Sequence, residues 1–573
     1  MLDVALRGAA AYVRQPVLVF GALASAALWT ALGCVAARPL RAIAAAVAGA
    51  LMAGDAVLYR YYRVPLDRQV VASALHHWSD VKPVLVGVLP LLLPLAIVSC
   101  ALEYVWLSRL TPNRRMGMGA LAVLALALAV VSPRDATADL RALDSFALVW
   151  PWPRGAAPTA AAASLPPVTS RRDTLPSVLF IVTESVRAAS YCGESGGTCP
   201  RAPEVAALVP DRIALHQMRA VASYTSVSVS ALLTGLSQEG PRADVLRAPT
   251  LFDYARAARA GDARMTVAYW SAQSASVFEG DARRSVDSWV TLETLLGHGV
   301  EDEDSVVDRG MDRMLAAYAT REMRALRPPF FLLLHFAGTH APYFVDEARA
   351  PFQPWQHTVT WAGLPSLERA YENAIFEQDH SIAASVAAFF EATAGTPSIV
   401  VFTSDHGEAF GEHGAIHHGQ NLYDEQIHVP AWIASRNGGL TEDATRNLAS
   451  HEDAFVTHLD LVPTVLDALG VLDAFPVLPY RARLRGQSLL SPPLPATSPI
   501  VLTNCTGMFP CPVNTWGLLQ GDRVLEAQPW DADWNCVDLR NGEEHATGSL
   551  CSALREASRS VFPLLPSGAP NRY

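Results

Sequence analysis

Ser404-Asp405-His406-Gly407-Glu408 directly follows the apolar run Ile399-Val400-Val401-Phe402. Such a run reads as a buried strand, and it ends by setting a carboxylate beside an imidazole at the C-terminal edge of a sheet, where α/β proteins build their sites. The pair is half of a metal site. On either side of it, short apolar runs alternate with helical patterns. Strands are expected at 178–182, 266–269, 330–335, 398–402 and 429–433, with helices such as 371–394 and 453–469 between them. The alternation predicts an α/β domain, a mixed or parallel sheet flanked by helices.

The chain has 573 residues, too many for one compact domain, and its long apolar runs lie in the first 135. Runs at 17–37, 42–58 (interrupted only by Asp55), 83–102 and 116–131 cross or nearly cross a hydrocarbon core of about 30 Å. They predict four membrane helices, with room for a fifth. The competing reading, helices buried in an alanine-rich soluble domain, would need four charge-poor runs in succession inside one soluble core. A cleaved signal peptide does not fit, because no single short apolar segment with a cleavage site stands alone. Arg38 and Arg41 lie between the first two runs, and Arg109, Arg114 and Arg115 between the last two. Both loops therefore read as cytoplasmic, and the chain beyond the fourth run as outside. The loop at 60–82 also carries cations; within it 65–80, with His76, His77 and Trp78, reads either as an amphipathic segment at the interface or as a connector.

Cys34 and Cys100 sit in membrane runs, whereas the other cysteines fall into close pairs: Cys192 with Cys199, Cys505 with Cys511, and Cys536 with Cys551. Close pairing after the membrane region predicts disulfides, hence an oxidising compartment such as a periplasm or cell exterior. With no CxxC pair, a zinc ribbon is the weaker reading. The net charge is -11, and no arginine-rich run is interleaved with aromatics, so nucleic acid is not an expected partner. Residues 133–173 are rich in Pro, Ala, Ser and Thr and read as a linker away from the bilayer. The expected organisation is a membrane region over 1–135, a linker over 136–175, a catalytic domain over 176–490 and a cysteine-containing C-terminal extension over 491–573.

Polar residues of the α/β region gather at strand ends. Glu184 follows Val178-Leu179-Phe180-Ile181-Val182-Thr183; Thr225 lies in Tyr224-Thr225-Ser226-Val227-Ser228, ahead of Leu232-Leu233-Thr234-Gly235; and His340 lies in Gly338-Thr339-His340-Ala341-Pro342-Tyr343. A divalent metal held by Glu184, Asp405 and His406 leaves one position for a hydroxyl, and Thr225 is the candidate. Coordination would lower the pKa of that hydroxyl and make a poor nucleophile competent. The chemistry suits displacement at phosphorus, in which the protein mainly positions groups and stabilises charge. His340 and His418, the latter in His417-His418-Gly419-Gln420-Asn421, would donate to non-bridging oxygens or protonate the leaving group. Singly, each has a plainer reading: a Glu after a strand caps a helix, a Ser/Thr run starts one, and His335 is a buried strand residue. All of them in this order on strand ends of one domain are much harder to obtain by chance. Zinc, manganese and magnesium all suit one such site, with two carboxylates, an imidazole and an alkoxide tilting the choice toward zinc or manganese.

These residues resemble the alkaline phosphatase and sulfatase superfamily over roughly 176–490. Within it they are similar to the membrane-anchored branch of lipoteichoic acid synthases, phosphoglycerol transferases and lipid A phosphoethanolamine transferases. The stretch from Val178 to Arg187 resembles the first metal strand and Ser404-Asp405-His406-Gly407-Glu408 the second metal motif. His458-Leu459-Asp460-Leu461-Val462-Pro463-Thr464 resembles the late helix, and Arg485-Gly486-Gln487-Ser488-Leu489 the domain end. In the register of the sulfatase C-x-P-x-R motif, Thr225 takes the cysteine position, Val227 the proline and Val229 the arginine, so the formylglycine signal is absent. The resemblance implies an α/β alkaline-phosphatase-like sandwich behind an N-terminal transmembrane helical domain. It also implies one divalent metal at Glu184, Thr225, Asp405 and His406, a phospho-threonine intermediate on Thr225, and substrate-phosphate contacts from His340 and His418. Near the third strand it offers only Trp270 and Arg284 as further contacts. Implied as partners are a membrane phospholipid donor of phosphoethanolamine or phosphoglycerol and an extracytoplasmic glycan or lipid acceptor, with the protein in the inner membrane. The same residues serve a hydrolase of phosphate or sulfate esters. A catalytically dead anchor would have lost a ligand, yet every ligand position holds a competent residue type.

Overall fold

The computed structural model describes residues 17–35, 37–62, 66, 71, 78–109, 113–131, 137–144, 165–192, 199–237, 245, 247–274, 282–297, 310–494, 498–504, 515–527, 534–546 and 551–561. The four apolar runs form helices: α1 (Val17–Val35), α2 (Arg38–Tyr62), α3 (Trp78–Arg109) and α4 (Arg114–Leu128). Along Arg38–Leu58 and Val88–Arg109, α2 and α3 are long and apolar enough to cross a membrane, whereas the apolar stretches of α1 and α4 are shorter. Leu93, Ile97, Val98 and Leu102 of α3 point outward, as a lipid-facing helix requires. Where α2 crosses α3, a Cβ on Gly49 would lie 2.4 Å from the Cys100 backbone nitrogen, so only glycine permits the approach. α3 begins at Trp78, earlier than the apolar run; most of the expected amphipathic stretch before it, with His76 and His77, lies outside the described residues.

Seven strands form the central sheet: β1 (Ser177–Thr183), β2 (Ile213–Ala214), β3 (Thr266–Ser271), β4 (Ser288–Val290), β5 (Phe330–Phe336), β6 (Ser398–Ser404) and β7 (Ala431–Arg436). Their order is β2-β7-β6-β1-β5-β3-β4. From β6 to β4 neighbours run parallel, while β7 is antiparallel to both β6 and β2. Alternate side chains enter opposite layers. Val178, Phe180 and Val182 pack with helices α5 (Thr225–Thr234) and α8 (Leu461–Ala468). Leu179 and Ile181 pack with α6 (Met311–Glu322) and α7 (Leu364–Ala392). Burial on both faces explains why these strands read as unbroken apolar runs. Val57 of α2 and Val88 of α3 join the second cluster, so the catalytic layer rests on the C-terminal end of α2 and the N-terminal end of α3.

Several expected boundaries move. The strand expected at 429–433 is Ala431–Arg436 instead, because Pro430 has no N–H to give the ladder. The helix expected over 453–469 is confined to α8. Val456–Thr457 pairs in parallel with Met218–Arg219, and a 3-10 turn at His458–Asp460 follows. Thr457 and Asp460 form the capping box that starts the helical turn there. α7 reaches back to Leu364 beyond the expected 371, with a proline in its first turn, where the missing N–H does no harm. Part of the expected linker also belongs to the folded unit, since Val168–Thr169 pairs with residues 258–259.

The C-terminal segment is a five-stranded antiparallel meander, β8 (Ile500–Thr503), β9 (Trp516–Gln520), β10 (Arg523–Ala527), β11 (Asn535–Asp538) and β12 (Glu543–Ala546). Leu502, Leu519, Val524 and Val537 join the core around α8. The opposite face, with Trp516 and Leu518, is closed by Leu554 and by the Cys536–Cys551 disulfide. Cys192 and Cys199 are also bonded, whereas Cys505 and Cys511 lie outside the described residues. At the seam, His413 bridges Glu425 (Nδ1 to Oε1, 2.8 Å) and Glu544 of β12 (Nε2 to Oε1, 2.7 Å) and stacks on Tyr423 at 3.6 Å. Burial alone would lower its pKa; the two carboxylates outweigh that and raise it to about 9. A folded pKa above the unfolded value of about 6.5 gives stabilisation that is full below about pH 6.5 and lost as pH rises through the folded value. His413→Gln should therefore lower Tm near pH 6, with the gap to wild type closing above about pH 9 in thermal denaturation. A gap independent of pH would contradict the ion pairing.

Candidate active site

Parallel pairing sets Ser404 of β6 and Phe336 of β5 both opposite Thr183 of β1. The next residues, Asp405, Glu184 and the Ala337-Gly338-Thr339-His340 turn, therefore leave the sheet at one edge. Glu184, Asp405 and His406 are fully buried there. Each has one atom held by surrounding groups and another aimed at a common point. Asp405 Oδ1 accepts the N–H groups of Ser185 (2.9 Å) and His406 (2.7 Å), and Oδ2 has no hydrogen-bond partner among the described residues. His406 Nδ1 donates to the Gly407 carbonyl at 2.9 Å, which turns Nε2 inward. Glu184 Oε2 accepts from Gln273 Nε2 at 2.7 Å.

The backbone is shaped to match. Ser185 adopts φ 57°, in the left-handed region, a conformation uncommon for a non-glycine residue and frequent at functional sites. That turn aims its N–H at Asp405. A Cβ on Gly407 would meet the Glu425 carbonyl oxygen at 2.4 Å, so the third residue of Asp-His-Gly must be glycine.

Thr225 opens α5, with Tyr224 as its N-cap. Its Oγ1 donates to Glu184 Oε1 at 2.9 Å and lies 3.1 Å from His406 Nε2. His406 Nε2 is 3.4 Å from both Glu184 Oε1 and Asp405 Oδ2. With metal–ligand bonds of about 2.0–2.1 Å, the edge of a tetrahedral zinc site is about 3.3 Å, so these four atoms fit the corners of such a site. The electrostatics point the same way. Burial raises Asp405 to about 7, with the Glu184 charge adding to it. His406, which burial alone would lower, is raised to about 9 by Asp405 and Glu184. Burial would also raise Glu184, but its bonds to His335 and His406 and the imidazole charges hold it well below the usual carboxylate range.

His418 lies over His406, ring centroids 4.3 Å apart, and His340 stands 5.4 Å from His418. Glu184, His340 and His418 offer a second close set of donor atoms sharing Glu184. His340 Nδ1 is engaged with the Ala341 carbonyl at 2.7 Å, and His418 Nδ1 with Glu408 Oε2 at 3.1 Å. The structure thus brings together all six residues singled out from the strand ends. His335 is buried in β5 as expected, with Nε2 3.8 Å from Glu184. Trp270 and Arg284 do not join them. Trp270 is packed edge-on against Tyr318 with Nε1 donating to Ser288, and Arg284 pairs with Asp253 at 2.7 Å. Sequence reasoning missed Gln273 and the role of Glu408. Gln273 lies just past the end of β3, the same signal that marked Glu184. Glu408 is buried between His417 and His418, and burial would raise it, but those two imidazoles hold it well below the usual carboxylate range.

Residues 176–471, just over half of the chain, match the sulfatase family profile. The chain belongs to that family. The phosphatidylethanolamine transferase Mcr-1 of Escherichia coli, a relative, is 31% identical over 175 residues, which cover 29% of this chain and 31% of the relative. Phosphoethanolamine transferase EptA of Helicobacter pylori (strain ATCC 700392 / 26695) is 30% identical over 93 residues, covering 15% and 18%. The chain spans less than a third of the length of either relative. Among solved structures, the integral membrane lipooligosaccharide phosphoethanolamine transferase A of Neisseria meningitidis matches with a TM-score of 0.55 over 77% of this chain and 86% of that one, at 17% identity. This likeness is one of fold, an alkaline-phosphatase-like α/β sandwich behind N-terminal helices.

Second-layer contacts to a metal-binding carboxylate typically contribute about 10- to 100-fold in affinity. Gln273→Leu, which frees Glu184 Oε2, should weaken zinc binding by about that factor in a chelator competition assay. Unchanged affinity would show that Gln273 does not orient Glu184.

Proposed function

We propose that this sulfatase-family protein is a membrane-anchored, metal-dependent phosphotransferase. It takes a phosphoethanolamine group from a phospholipid onto Thr225 and passes it to a hydroxyl of an extracytoplasmic glycan or lipid. The observation that carries the reading is Thr225 Oγ1 at the fourth corner beside Glu184 Oε1 and His406 Nε2. Zinc or manganese suits the oxygen and nitrogen donors of Glu184, Asp405, His406 and Thr225; bound there, it would lower the pKa of the Thr225 hydroxyl and draw charge from the phosphoryl oxygens.

The chain's own groups supply the rest. Glu184 Oε1 accepts the Thr225 proton, and the N-terminus of α5 favours negative charge at Oγ1. Attack by Oγ1 forms the phosphorus–oxygen bond to Thr225 and breaks the one to diacylglycerol, whose oxygen leaves with a proton from the His340 and His418 pair. An acceptor hydroxyl then attacks the same phosphorus, its proton leaves to the histidines, and Thr225 is restored. The side chains of His340 and His418 are only partly covered, which leaves them open to both substrates.

Position in the membrane supports a lipid donor. The catalytic layer packs at the C-terminal end of α2 and the N-terminal end of α3. Arg41 at the start of α2 bonds the Leu107 carbonyl near the end of α3, so Arg38, Arg41 and Arg109 gather at the far ends. By the positive-inside rule that far side is cytoplasmic and the site extracytoplasmic. The disulfides Cys192–Cys199 and Cys536–Cys551 suit that compartment. The phosphoethanolamine group is chosen because the two curated relatives above are named for its transfer or for phosphatidylethanolamine.

Incubation of the full-length protein with phosphatidylethanolamine vesicles should leave a phosphoethanolamine adduct on Thr225 in mass spectrometry of its peptides. Thr225→Ala should carry no adduct and lose turnover by at least about 10³-fold while keeping its bound metal. Full activity of that variant, or faster release of inorganic sulfate from sulfate esters than of diacylglycerol from the vesicles, would overturn the reading.

A further inference from the structure

We propose that the C-terminal sheet is part of the working site, and that Asn504, the residue after β8, is a positioning residue fixing the nucleophile loop against the His418 loop. The proposal rests on the roles given above to Thr225 and His418. It concerns a segment beyond the matched family profile, which ends at 471.

Asn504 is 1% exposed and uses both ends of its amide. Oδ1 accepts the Ser223 N–H at 2.7 Å, and Nδ2 donates to the Gly419 carbonyl at 2.9 Å and to Ser223 Oγ at 3.0 Å. Ser223 lies two residues before Thr225, and Gly419 directly follows His418. Ser223 Oγ in turn donates to the Asn421 carbonyl at 2.6 Å. Each loop therefore meets the other through one buried amide. Neighbouring groups of the sheet brace the same two loops. Thr503 N–H donates to the Val221 carbonyl at 3.1 Å, and Glu526 of β10 accepts the Leu422 N–H at 2.9 Å. Leu422 also packs on Gly517 of β9, where a Cβ would come within 3.0 Å of it.

The physical reason for an amide is donor–acceptor geometry. Ser223 presents an N–H and Gly419 a C=O, both buried, and a group serving both at once must donate from one atom and accept at another. Asp supplies the acceptor alone, and Ala supplies neither. Because a misplacement of about 1 Å between reacting groups costs on the order of 10²-fold in rate, a loop held this way matters more to turnover than to the integrity of the fold.

The test uses the full-length protein in detergent, with Asn504→Ala and the milder Asn504→Asp. Hydrogen exchange read by mass spectrometry should rise about 10-fold or more over 219–225 and 417–422 and stay unchanged in α7 and β6. On bis(p-nitrophenyl) phosphate, kcat should fall by about 10- to 100-fold, with KM and bound metal within about twofold of wild type. Unchanged exchange in the two loops would overturn the proposal, and so would a rise spread evenly through α7 and the central sheet, the mark of a purely structural residue. Failure of both variants to fold would overturn it too. The exchange measurement needs no turnover, so wild-type protein inactive on phospholipid would count against the proposed function and leave this test standing.

Discussion

Two carboxylates and an imidazole, all fully buried and with donor atoms only a few ångströms apart, cannot keep their charges on their own. Removing such groups from water is costly unless an opposite charge accompanies them. The shifts of Asp405 and His406 toward neutrality show the cluster retaining protons in place of a cation. A divalent ion would discharge the same tension, and the four inward-facing atoms have the spacing to hold one. The surrounding structure follows from keeping this cluster intact and dry.

The sheet does most of that work. Parallel pairing of β6, β1 and β5 delivers three strand ends to one edge in register, and the turns beyond them are locked from behind. Ser185 bends into the left-handed region to present its N–H to Asp405, with its own carbonyl accepting from Tyr371 of α7. The Thr339 hydroxyl bonds the Glu184 carbonyl, and Gln378 of α7 bonds Thr339 and Asp312. Asp312 of α6 in turn holds the N–H groups of Ala337 and Gly338 at the start of the His340 turn. Helices that merely looked like core cover thus also aim the site.

A different division of labour sets the membrane relation. Small residues let α2 and α3 approach, and their extracytoplasmic ends meet the catalytic layer through apolar contacts. The site is thereby tied to the bilayer surface by a packed interface as well as by the covalent chain. The C-terminal meander closes the other flank, joining the core through Leu502, Leu519 and Val524 while its polar groups reach the two loops that carry Thr225 and His418.

Glu184, Asp405, His406 and Thr225 were legible because each lies at the end of an apolar strand or the start of a helix, and these signals are local. Local signals also marked the four apolar runs and the disulfide partners at short spacing. Trp270 was misread because residues along a strand alternate in direction; it faces the α6 layer, and the strand-end signal does not report that parity. Gln273, Glu408 and Asn504 acquire their roles from partners far away in the chain or in another element, and no pattern of residue types announces such pairings. The sequence by itself determined the α/β character, the apolar anchor and the residue types able to bind a cation and attack phosphorus, because periodicity and side-chain chemistry are written residue by residue. Only the tertiary structure decided which atom of each side chain is free, which loops are braced together and which flank the C-terminal segment closes. Those depend on sheet register and on contacts between residues up to several hundred positions apart.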